Sequence, residues 1–86
     1  MSEIYVRTFD ASSGTGVPST DLRTESPRAA VGQARHLNRM YREPAYITRI
    51  HFSGNSADPA FLELSHLAHE HGLRVHAKAE SWTSGR

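Results

Sequence analysis

Ala45-Tyr46-Ile47-Thr48-Arg49-Ile50-His51-Phe52 is the stretch on which the fold turns. It alternates as a strand does, with Tyr46, Thr48, Ile50 and Phe52 on one face and Ile47, Arg49 and His51 on the other. A helix pattern lies on each side of it. Upstream, Ser26-Pro27 supplies a capping hydroxyl and a proline at the first helical position. From there Ala30, Ala34, Leu37 and Tyr41, with Val31 beside them, recur at helical spacing to about Arg42, ahead of Pro44. Downstream, Asp58-Pro59 repeats the same start, Phe61, Leu64, Leu67 and Ala68 form the apolar stripe, and Gly72 closes it. A ferredoxin-like order would need a hairpin between the helices, and only one strand fits there.

Working outward, residues 3–9 alternate as a strand, Ile4 and Val6 on one face and Tyr5, Arg7 and Phe9 on the other. Residues 10–19 are turn chemistry throughout and read as a flexible Gly/Ser/Pro loop. Residues 20–24 return as a short edge strand. At the far end Leu73, Val75, Ala77 and Ala79 make one face of a last strand, with Arg74, His76, Lys78 and Glu80 on the other; residues 81–86 read as a frayed tail. The order is β-(β)-α-β-α-β. Strands joined through helices run parallel as a rule, and both helices need an apolar surface. The expectation is an α/β two-layer sandwich: residues 1–86 as a single domain, two helices packed on one face of a three- or four-stranded sheet.

Composition narrows the function classes. Ile, Leu, Val and Phe number only 16 of 86 residues, so the core is thin and an oligomer is an ordinary remedy. The net charge of +1 gives no reason for disorder. Without a cysteine there are no disulfides, Fe–S clusters, thiolate nucleophiles or Cys-rich zinc sites. No apolar run is long enough to span a membrane, and Met1-Ser2-Glu3-Ile4 is acidic where a secretory signal is basic. A cytoplasmic, intracellular protein without a cofactor is the expectation.

Two surfaces stand out. The sheet face turned away from the helices would carry Tyr5, Arg7, Phe9, Ile47, Arg49, His51, Arg74, His76 and Lys78, a mixture of rings and cations. Such a face suits a protein interface with the rings as anchors, or unpaired bases and phosphates. On the first helix Arg28, Arg35, Arg39 and Arg42 fall within about 60° of one another at 100° per residue, and no acidic residue interrupts them. They match a phosphate backbone or an acidic protein surface, or simply form the solvated side of an amphipathic helix.

The six histidines raise two chemical readings. Glu63, His66 and Glu70 share one edge of the second helix, with His69 nearby, and imidazole with carboxylate can bind zinc or iron. One exposed helix gives an incomplete coordination sphere, so no metal site is expected. His51 and His76, on two strands of the open face, could act as base and acid on a phosphodiester with Arg7, Arg49 and Lys78 as charge stabilisers. The face lacks an obvious cleft for that metal-independent ribonuclease. The leading expectation is therefore a non-enzymatic binding module acting through a protein partner or as a homo-oligomer. Its sheet anchors are Tyr5 and Phe9, Arg49, Arg74 and Lys78 set orientation, and the helical arginines steer. Nucleic-acid binding is the alternative.

Overall fold

The computed structural model describes residues 3–55 and 57–78, with the backbone alone for Ala77 and Lys78. Its elements are β1 (Glu3–Asp10), β2 (Leu22–Thr24), α1 (Pro27–Met40), β3 (Tyr46–Ser53), α2 (Pro59–Glu70) and β4 (Val75–Lys78). They build the expected two-layer α/β sandwich, with four strands in the order β2-β1-β3-β4. The assigned tail and the positions of Ala79 and Glu80 lie outside the described residues.

β1 is the centre of the sheet. It pairs antiparallel with β2 on one side and with the whole of β3 on the other, while β3 and β4 are parallel. The α2 connection therefore joins adjacent parallel strands. The α1 connection joins β2 and β3, which also run the same way but with β1 between them. Each helix runs back against the strands it joins, so α1 and α2 run parallel to each other.

Alternation sorts the side chains as the pattern demands. Ile4, Val6 and Thr8 of β1 and Ile50 and Phe52 of β3 are buried towards the helices. Ala30, Val31, Ala34 and Leu37 of α1 and Leu64 and Ala68 of α2 meet them, and Phe61 packs its ring against Phe52 at 4.9 Å between centroids. Two alanines in the α1 stripe let that helix approach the sheet closely. Both helix starts are capped as read: Ser26 Oγ accepts from Ala29 N at 3.2 Å and Asp58 Oδ1 from Ala60 N at 2.9 Å. Gly72, at φ 68°, turns the chain out of α2.

One expectation needs adjustment. The helical stripe is expected to run to about Arg42, but α1 ends at Met40 and Tyr41 is its extended C-cap. Arg42 thus lies beyond the helix and does not continue the row of Arg28, Arg35 and Arg39. The loop of residues 10–19 is joined to β1 by hydrogen bonds. Thr15 O accepts from Asp10 N at 2.9 Å and Thr8 O from Val17 N at 2.8 Å. β2 is too short to reach Thr8, so the buried Thr20 hydroxyl takes its place. Thr20 Oγ1 accepts from Thr8 N at 3.1 Å and donates to Val17 O at 2.8 Å. A polar group at 1% exposure needs such partners.

Candidate functional site

Every helix packs on the same side of the sheet, so the outward-facing side chains of β1, β3 and β4 form one surface that no described element covers. The register lays it out in rows. Arg23, Tyr5, His51 and His76 are successive partners across all four strands. The Arg23 guanidinium lies over the Tyr5 ring at 5.0 Å. Tyr5 and His51 centroids are 6.3 Å apart, and those of His51 and His76 5.5 Å.

The second row places Arg7 directly opposite Arg49. Like charges in that position repel, and the surroundings offset the repulsion on one side only. Arg7 Nε lies 3.1 Å from Asp21 Oδ1, in an ion pair whose geometry is not that of a hydrogen bond. Its Nη1 donates to Tyr5 Oη at 3.3 Å, and Tyr5 Oη donates to Asp21 Oδ2 at 3.0 Å. Both guanidiniums also lean on the Phe9 ring, at 5.9 Å for Arg7 and 5.8 Å for Arg49. Arg23 is paired with Glu3 at 3.3 Å. Arg49 and Arg74 have no ion-pair partner among the described residues.

The expected site residues are thus largely brought together. Tyr5, Arg7, Phe9, Ile47, Arg49, His51 and His76 share the face, and Arg74 precedes β4 on the same side. The Lys78 backbone pairs opposite Ser53, and its side chain lies outside what is described. Sequence reasoning missed Arg23, which pairs opposite Tyr5 on β2, and Asp21, which precedes β2 and meets the Arg7 side chain; their parity within residues 20–24 was the available signal. It also missed a groove of about 620 Å³ at the start of β4. Asn38, Glu43, Pro44, Ile47, Thr48 and Arg49 line one part of it, and Gly72, Leu73, Arg74 and His76 the rest.

Burial first, then the neighbouring charges of His76 and Arg49, hold the His51 imidazole below its ordinary pKa. Asp10 is held low by the Ser12 hydroxyl, which donates to its Oδ1 at 2.7 Å, and by the Ser12 N–H.

The other candidates stay apart from this face. Arg28, Arg35 and Arg39 are exposed on α1, across the helix layer, and form no ion pair among the described residues. On α2, His66 Nε2 and Glu70 Oε2 approach to 3.3 Å and both are exposed. Glu63 is exposed on the same helix, and no group of three or more metal-ligating side chains occurs among the described residues. Met40 and Leu62 are exposed apolar residues at opposite ends of two parallel helices, so they do not form a patch. No described helix is long and apolar enough to cross a membrane. Compared with protein-family models, curated proteins and solved structures, the chain matches none.

Proposed function

We propose that this chain is a non-enzymatic binding module whose open sheet face docks a protein partner with an acidic surface. The observation that carries the reading is the composition of that face: rings at its centre and two arginines, Arg49 and Arg74, left without a counter-charge among the described residues. Aromatic and arginine side chains on a half-exposed surface are the usual anchors of protein interfaces. Charge favours a different polypeptide over a second copy, because a two-fold contact would set cations against cations. A cytoplasmic setting belongs to the same proposal, supported by a chain without cysteine.

Nucleic-acid binding is the second reading, favoured by the exposed Arg28, Arg35 and Arg39. It ranks lower because the Tyr5 ring is already covered by Arg23, and base stacking needs a free ring face. The ribonuclease reading ranks third. Of the two histidines only His76 lines the groove, so a base and an acid do not converge on it.

The test is a photo-crosslinking residue at Phe9, with one at Leu62 on the helix layer as control, in the cells that make the protein. A polypeptide captured from Phe9 and not from Leu62 supports the reading. RNA or DNA captured from Phe9 would replace it with the second, and identical capture at both sites would overturn both.

A further inference from the structure

We infer that the partner is held as an extended acidic segment, laid along the free edge of β3 in the groove beside Arg49, Arg74 and His76. The inference rests on the protein-docking reading and adds where and how the partner is gripped. β3 runs from Tyr46 to Ser53, but β4 pairs with it only from Ile50 to Ser53. Alongside Ile47 and Thr48 no described strand occupies that side. The segment Gly72–Arg74 leaves α2 and approaches β3 without joining the ladder, and the groove lies between the two. An unpaired stretch of a strand beside a groove is where a peptide adds as a further strand, main chain to main chain.

The side chains define what that strand carries. Successive residues of an extended segment face opposite sides of the sheet. Those turned to the open face meet Arg49, Arg74 and His76, cationic groups of which both arginines lack a counter-ion among the described residues. Those turned to the helix layer meet Thr48, Leu73 and the half-buried Asn38. The matching sequence therefore alternates carboxylates with small or apolar side chains. Glu43, at the end of the groove next to Pro44, is the one acidic group lining it among the described residues, so the carboxylates belong towards Arg74. A phosphate backbone would meet the same cations but would leave the strand edge unused.

The experiment is fluorescence anisotropy with a decapeptide alternating Glu and Thr. Its controls are the same composition with all Glu in one block, a Lys-Thr decapeptide, and an oligothymidylate. The alternating acidic peptide binds, and the three controls bind about tenfold more weakly or not at all. N-methylating every second amide, in each of the two phases, weakens binding about tenfold in one phase only. Arg74→Glu, an exposed position outside β4, costs about tenfold or more, and Arg49→Gln costs less in the same direction. Leu62→Glu, at an exposed position on the helix layer, leaves affinity unchanged, and circular dichroism of each variant verifies folding. Equal affinity for blocked and alternating peptides, insensitivity to N-methylation, or tighter binding of the oligothymidylate would overturn the inference. If polypeptide capture from Phe9 persists while the alternating peptide fails, only the groove assignment falls. Loss of both removes the docking reading itself.

Discussion

The two faces of the sheet are written by the same strands and obey opposite rules. Phe52, Ile50, Val6 and Ile4 face the helices, where shape and apolar area decide stability. Their immediate chain neighbours His51, Arg49, Arg7 and Tyr5 face away, where half-buried or exposed rings and charges are held in fixed order. On the first face a residue is judged by what it excludes. On the second it is judged by what its charge leaves uncompensated, and there Arg7 is matched by Asp21 while Arg49 opposite has no such partner among the described residues. A bare face could have been made of Thr and Glu at no loss to the core. Its rings and arginines therefore call for an account beyond folding.

The contrast is sharpest between adjacent residues. Phe52→Ala, removing a ring that is 1% exposed, should cost about 3–5 kcal/mol. His51→Ala should cost about 1 kcal/mol or less. Urea denaturation of both variants measures the gap, and similar losses would erase the distinction drawn between the faces. A smaller effect tests whether the clasp at the end of β1 belongs with the core. Thr20→Val keeps the shape and removes both hydrogen bonds of a buried hydroxyl, at about 1–3 kcal/mol. A midpoint equal to that of the parent protein would show that Thr8 N–H finds another acceptor.

The smallest effect runs through pH. The folded protein holds His51 below the ordinary histidine value of 6.5, so the unfolded chain takes up the proton more readily. The contribution is intact above about pH 6.5 and is lost as pH falls through the lowered folded pKa. Denaturation midpoints from neutral pH down to about 5 should decline more steeply in the parent than in His51→Gln. Parallel curves would mean that the open face tolerates the second charge.

The fold was readable because its signals are local. Ser26-Pro27 and Asp58-Pro59 mark helix starts whatever surrounds them, and the alternation in Tyr46–Phe52 survives any choice of neighbours. Register is not local. That β1 lies between β2 and β3, and that Tyr5, His51 and His76 fall into one row, depends on the pairings Tyr5 with Arg23, Tyr5 with His51 and His51 with His76, all of them distant in sequence. The expected face was assembled from parity alone, which puts the right residues on the right side but cannot say which of them touch. The Arg7–Asp21 pair and the groove at the start of β4 escaped for that reason. The arginine row on α1 overran by one member because Arg42 keeps the helical phase after the helix itself has stopped.

Position 16 shows how a loop can govern a charge it does not carry. Gly16 forms a bridge with Phe9 and lies so close over Arg7 that a methyl group there would meet the guanidinium first. The far end of a long side chain yields easily, so Gly16→Ala should leave the architecture standing while swinging Arg7 away from Asp21 and Tyr5. One methyl group, placed on a turn and chemically inert, would release a third cation, beside Arg49 and Arg74, onto the sheet face. Variation at this site would thus tune the electrostatic character of the surface without changing a single charged residue.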